Sequence, residues 1–161
     1  MLKLLFICTH NRCRSILAEA IARHVGAGVF DVRSAGSQPE GKVFPGTIKY
    51  LERQGISTDG LQSQSWDEHE SFEPDVVITV CDSAAGEACP AWMGKAARVH
   101  WGLTDPSKQP DETAQQNMFD QVGAMMQQRL QLLASASFDG ITDQKELAKA
   151  IEQLLVLNNV S

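Results

Sequence analysis

Four short strand-like runs, Leu2 to Ile7, Val29 to Arg33, Val76 to Val80 and Arg98 to Trp101, are separated by segments whose apolar residues recur at helical spacing. Runs of this length are strands, and strands that alternate with helices fold as a parallel sheet covered by those helices. Leu17, Ile21 and Val25 mark a first helix that stops near Gly26-Ala27-Gly28. A second helix starts at Pro45, carries Ile48 and Leu51, and ends at Gly55. Residues 56 to 74 read as loop, with one helical turn near Trp66-Asp67-Glu68. Two long helices close the chain. Met118, Val122, Met126, Leu130 and Leu133 form the apolar stripe of one; Leu147, Ile151, Leu154 and Leu155 form that of the other, which begins at Asp143 with Glu146 as its capping-box partner. At 161 residues and 43% hydrophobic content, the chain can bury one sizeable core, and we expect one domain over residues 1–161.

Cys8 ends the first run and opens Cys8-Thr9-His10-Asn11-Arg12-Cys13-Arg14-Ser15, after which Ile16 begins the first helix. Five residues between Cys8 and Arg14 let the loop wrap on itself, so that backbone N–H groups point inward as an anion nest at a helix N-terminus. A tetrahedral oxyanion fits there. Arg14 adds a planar fork for two of its oxygens, while the helix dipole, Arg14 and the Ser15 hydroxyl favour Cys8 as a thiolate, a nucleophile near neutral pH. Cys-x5-Arg recurs by chance in many chains. A strand before it, a helix after it and a serine beside the arginine are the context that gives this one a chemical meaning.

The apolar start is too short for a signal peptide and no run approaches membrane-spanning length, so the expected setting is the cytoplasm, with no membrane partner. In that reducing compartment Cys8, Cys13, Cys81 and Cys89 point to catalysis, redox chemistry or metal binding rather than to a disulfide framework. Neither pair has the Cys-x2-Cys form of common zinc sites, and His10, His24, His69 and His100 have neither metal nor paired-base spacing. A net charge of -6 argues against nucleic acid as a partner.

Cys81 directly follows the third strand run as Cys8 follows the first, so both thiols belong at one edge of the sheet. In a doubly wound order 2-1-3-4 those strands are neighbours ~4.8 Å apart, and their carboxyl ends flank the point where ligands bind. A Cys8 to Cys81 disulfide, which needs Cα atoms within ~4.4–6.8 Å, is then reachable. Cys89 lies eight residues after Cys81. A helix between them would hold their Cα atoms ~12 Å apart, so a Cys81 to Cys89 disulfide requires the segment to bend or unwind, as Gly86 and Pro90 allow. Asp105-Pro106 follows the fourth strand run, at the same loop edge, where a carboxyl group can protonate a departing oxygen.

Together, Cys8 to Ser15, Ser34-Ala35-Gly36-Ser37, Val76 to Cys81, Cys89-Pro90 and Trp101-Gly102-Leu103-Thr104-Asp105-Pro106 resemble the arsenate reductases built on the low-molecular-weight protein tyrosine phosphatase fold, most closely the thioredoxin-coupled type. The resemblance runs from Leu2 to about Leu133 and implies a three-layer α/β fold, a four-stranded parallel sheet of order 2-1-3-4 flanked by helices, to which a C-terminal helix over about 143–158 is added. It implies that Cys8 attacks arsenate, that Arg14 and the loop N–H groups clamp the oxyanion, and that Asp105 protonates the leaving hydroxyl. Cys81 would then attack Cys8 and release arsenite, and Cys89 would attack Cys81, passing the disulfide to thioredoxin or to glutathione with glutaredoxin. Phosphate and sulfate would compete with arsenate. Ser15 would hydrogen-bond the Cys8 thiolate, and Asn11 would hold a left-handed turn that Asn tolerates.

The resemblance implies no organic cofactor, but a potassium ion beside the loop, with Asn11, Ser34, Ser65 and Asp67 as the oxygen-bearing positions. The chain departs from the phosphatases in two places. His10 stands where they usually carry Gly, and Asp105-Pro106 continues as Ser107-Lys108 rather than as aromatic residues that clasp a phosphotyrosine ring. A phosphatase of the same fold is the second reading of the motifs, and a redox-linked oxyanion-binding sensor without turnover is the third.

Overall fold

In the computed structural model, which describes residues 1–82 and 89–158, a parallel sheet is built in the order β2-β1-β3-β4. β1 (Leu2–Ile7) pairs with β2 (Phe30–Ala35) from Leu2↔Phe30 to Ile7↔Ala35, and with β3 (Val76–Thr79) from Leu4↔Val76 to Ile7↔Thr79. β4 (Ala97–His100) pairs with β3 and forms the far edge. This is the expected order. The strand bounds move by one or two residues, because the six-residue ladder with β1 carries β2 past Arg33 to Ala35.

Burial follows position in the sheet. The four residues of β3 and the last four of β1 are buried on both faces, which is why these runs are apolar throughout but for Thr79. β4, at the edge, alternates: Ala97 and Val99 point inward, and Arg98 and His100 outward.

Helix α1 (Arg14–Val25) rises directly from the Cys8 loop. Its buried residues Ile16, Leu17, Ala18, Ala20, Ile21 and Ala22 run around the helix rather than along the single Leu17–Ile21–Val25 stripe, and Val25 is only half-buried. A helix apolar on all sides must be covered on all sides. α3 (Glu112–Ser135) and α2 (Pro45–Arg53) supply that cover together with the sheet. α2 ends as expected, with Gly55 just beyond it at φ +70°. A 3-10 turn, Trp66–Phe72, is capped by a reciprocal box between Ser65 and Glu68. In α3 the stripe of Val122, Met126, Leu130 and Leu133 is buried as read, and Phe119, Gly123 and Arg129 join it while Met118 does not. The final helix, α4 (Gln144–Leu157), is capped by Asp143, whose carboxylate accepts the Lys145 N–H; the expected return bond from Glu146 is not made among the described residues. α4 packs Ile151 and Leu155 into the core against β4 and α3. No helix among the described residues is long and apolar enough to cross a membrane.

Candidate active site

At the carboxyl edge of the sheet, the loop between β1 and α1 owes its shape to the segment that follows β2. The carbonyls of Thr9, His10 and Arg12 accept hydrogen bonds from the N–H groups of Gln38, Glu40 and Phe44 at 2.9, 3.1 and 2.9 Å. The peptide bonds of this loop are trans, so in each of these planar units the N–H points opposite to its carbonyl. The N–H groups of His10, Asn11 and Cys13 are thereby turned to the inside of the loop. That is the anion nest. It also explains Gly36: a Cβ there would lie 2.5 Å from the carbonyl oxygens of both Cys8 and Thr9.

Asn11 takes the left-handed conformation expected of it, at φ +44°. Its amide donates to Ser15 Oγ at 2.8 Å and to Ser34 Oγ at 3.0 Å, and its Oδ1 accepts the Gln64 N–H at 2.7 Å. Ser15 Oγ thus accepts from Asn11 and keeps its own proton to donate; no bond from it to Cys8 is formed among the described residues. Ser34 in turn donates to Glu19 Oε1 at 2.5 Å, and Arg23 pairs with Glu19 Oε2. Burial raises the pKa of Glu19, opposed by Ser34, Arg23 and Arg33. Glu19 is the residue of this network that sequence reasoning missed. A lone carboxylate inside Ile16-Leu17-Ala18-Glu19-Ala20-Ile21-Ala22 was the available signal.

Asn11 and Ser34 are thus in contact, and the bridge between Gly36 and Ser65 brings the capped turn bearing Ser65 and Asp67 beside them. As bonded, the Asn11 oxygen accepts the Gln64 N–H and its amide protons face Ser15 and Ser34, Ser65 Oγ caps the Asp67 N–H, and Glu19 is paired with Arg23; each of these oxygens keeps a lone pair that a cation could use.

Arg14 leaves the first turn of α1 and reaches the loop after β4. Nη1 donates to the Leu103 carbonyl at 3.0 Å, and Nη2 lies 3.5 Å from Asp105 Oδ2. Each Nη thus gives one N–H to the Asp105 loop and keeps a second, while the buried Nε–H has no partner among the described residues, so the guanidinium still has donors to offer a ligand. Asp105 is itself fixed, its Oδ1 accepting from the Ser107 N–H at 2.9 Å and Ser107 Oγ at 2.7 Å as the cap of a short 3-10 turn. Arg14 and Asp105 are brought together as read; Leu103 and Ser107 complete the set.

All four cysteines are thiols. Cys8 and Cys81, 73 positions apart, are both buried and lie near enough for each to influence the other, as the pairing of β1 with β3 leads one to expect. The Thr9 hydroxyl lies 3.8 Å from Cys81 Sγ. The Cys81 thiol and burial push the pKa of Cys8 up, while Arg14 and the His10 N–H lower it, so Cys81 opposes the thiolate that the loop alone favours. Cys13 is more deeply buried, and desolvation pushes it up to about 12, with Thr47 and the Ser107 backbone opposing and Asp105 adding to the rise. Its sulfur is part of the packing; its N–H is part of the nest. Cys89 is half-buried and accepts a hydrogen bond from Arg98 Nη2 at 2.8 Å. The helix-or-bend expectation for the stretch between Cys81 and Cys89 falls on residues 83–88, outside the described residues.

Residues 3–151 match the low molecular weight phosphotyrosine protein phosphatase family. Among similar proteins, an arsenate reductase of Oceanobacillus iheyensis is 32% identical over 130 residues, 80% of this chain and 92% of its own. The glutaredoxin arsenate reductase of Synechocystis is 34% identical over 68% of this chain and 82% of its own. In three dimensions the chain is similar to an arsenate reductase solved in the phosphate-binding state, with a TM-score of 0.71 and 31% identity over 84% of this chain and 98% of the other. With the nest, its arginine and its acid loop in the arrangement described, the chain belongs to the low molecular weight phosphotyrosine protein phosphatase family.

Proposed function

We propose that this protein is an arsenate reductase that uses three of its thiols in turn. Arsenate enters the nest, where the inward N–H groups and Arg14 Nε–H meet its oxygens. Cys8 Sγ attacks arsenic; the Cys8 proton and a proton handled by Asp105 leave with one oxygen as water, and an S–As(V) bond forms. Cys81 Sγ then attacks Cys8 Sγ. The S–As electron pair passes to arsenic, arsenite departs with the Cys81 proton, and a Cys8 to Cys81 disulfide remains. Cys89 attacks Cys81, Cys8 leaves as thiolate, and the Cys81 to Cys89 disulfide is reduced by thioredoxin or by glutathione with glutaredoxin in the cytoplasm.

The observation that carries this reading is the placing of two buried thiols, Cys8 and Cys81, at the carboxyl ends of the paired strands β1 and β3, with Cys81 Sγ 3.8 Å from the hydroxyl of Thr9. A phosphatase of this fold needs one nucleophile and water. A second thiol beside the first is the requirement of a reductase, because the sulfur of the S–As(V) adduct must be attacked before water hydrolyses that bond at arsenic. The likeness to proteins named arsenate reductases supports the same reading. Asp105-Pro106-Ser107-Lys108 offers no aromatic wall for a phosphotyrosine ring.

The deciding measurement is arsenate-dependent NADPH oxidation, with thioredoxin and its reductase in one arm and glutathione with glutaredoxin in the other, for the wild type and Cys81→Ser. Turnover with one donor, abolished by Cys81→Ser, is the expected result and identifies the partner. Hydrolysis of a phenyl phosphate that survives Cys81→Ser, with no NADPH oxidation in either arm, would make the protein a phosphatase.

A further inference from the structure

Edge strand β4 turns Arg98 and His100, two residues apart, to one side of the sheet. His100 is fixed from below: Nδ1 lies 2.7 Å from Thr79 Oγ1 on β3. Its Nε2 lies 2.9 Å from Asp82 Oδ1, immediately after Cys81. Arg98 Nη2 donates to Cys89 Sγ at 2.8 Å. One strand face therefore holds both ends of the segment that begins at Cys81 and ends at Cys89. The two contacts differ in kind. That of His100 is to a carboxylate beside a thiol; that of Arg98 is to the sulfur itself.

We propose that Arg98 is a positioning residue for the second thiol exchange, orienting Cys89 Sγ and supplying the positive partner of the sulfur anion that attacks Cys81. The proposal rests on the three-thiol reading above. In the exchange, Cys89 as thiolate bonds to Cys81 Sγ and the Cys8–Cys81 bond breaks, its electron pair leaving on Cys8; no net electrons are gained or lost, and the disulfide already formed is the only oxidant. A guanidinium N–H bonds an anionic sulfur more strongly than a neutral one, and thiolates beside arginine are the reactive ones. Among the described residues no hydrogen bond or ion pair joins Arg98 to the nest, and its bond to Cys89 Sγ puts its influence on the outward half of the relay. Its side chain stands on the exposed face of an edge strand, where replacement leaves the core intact.

The test compares wild type, Arg98→Gln and Arg98→Lys after melting curves have established that all three fold. Iodoacetamide labelling of reduced protein, resolved by peptide mass spectrometry, reads Cys89 with no arsenate present. Labelling of Cys89 several-fold slower in Arg98→Gln and restored in large part by Arg98→Lys is the expected result; equal rates in the three proteins overturn the proposal. A single-turnover mixture with arsenate and no reductant then locates the step. In Arg98→Gln the first equivalent of arsenite is expected to appear with Cys8 and Cys81 disulfide-linked, and transfer to Cys89 to be slowed several-fold. Transfer at the wild-type rate would equally overturn it. Absence of arsenite from the wild type itself refutes the reductase reading instead, and the labelling result still judges Arg98.

Discussion

His69 is buried on the 3-10 turn, with its Nδ1 3.5 Å from Arg33 Nη1, while Arg33 stacks on the Phe72 ring at 4.4 Å. Burial and the Arg33 charge push its pKa below the ordinary value of 6.5, with Glu68 opposing them. The unfolded chain therefore binds a proton that the folded one resists. The stabilising contribution is complete above pH 6.5 and is lost as pH falls through the lower folded value. Denaturant midpoints measured between pH 7.5 and 5 should decline in the wild type and decline less in His69→Gln. Nothing in Trp66-Asp67-Glu68-His69-Glu70 marks that histidine as interior, because the side chain that meets it, Arg33, comes from β2, elsewhere in the chain. Cys8, Arg14, Cys81 and Asp105, by contrast, were legible, since each follows a strand directly or sits one loop from it, and the sheet alone brings them together. What could not be read was their occupancy: that Leu103 and Asp105 would hold both Arg14 Nη groups, and that Asn11 would take up the Ser15 hydroxyl, depends on side-chain directions that spacing does not encode.

The loop and the segment after β2 act as one element. Three backbone bonds from residues 38, 40 and 44 hold the loop carbonyls outward, and Gly36 is the point of closest approach. Gly36→Ala places a methyl group 2.5 Å from two carbonyl oxygens, so one backbone must yield. The displacement turns the nest rather than the core, and the expected outcome is a loss of phosphate or arsenate affinity of at least ~10-fold, out of proportion to a modest fall in melting temperature; isothermal titration with phosphate beside a melting curve checks it. At this scale the regular elements were readable because period and punctuation agree: Pro45 opens α2 and Gly55 follows its end. α1 was read too narrowly. Its alanines are small enough to be overlooked in an apolar stripe, yet Ala18, Ala20 and Ala22 are as buried as Leu17 and Ile21, letting α3 and the sheet approach closely.

Over the whole molecule, α4 has a task distinct from the chemistry. β4 is an edge strand, and an open edge pairs readily with other chains. α4 packs against that strand and buries Ile151 and Leu155. Removing residues 141–161 exposes those contacts. Burial of two such side chains is worth ~3–6 kcal/mol, so the truncated chain should melt well below the full one and associate on heating, by light scattering, while the nest residues remain in sequence. The sheet has one more consequence. Cys8 meets Cys81 because Ile7 lies opposite Thr79 in the β1–β3 ladder. A slip of one residue would carry Cys81 ~3.3 Å along and turn alternate side chains to the other face. The backbone ladder is thus a ruler for sulfur chemistry. It tolerates variation in the residues between the two thiols so long as the count from each ladder rung to its cysteine is kept, and an insertion of one residue after Thr79 should silence the pair while leaving both cysteines in the chain.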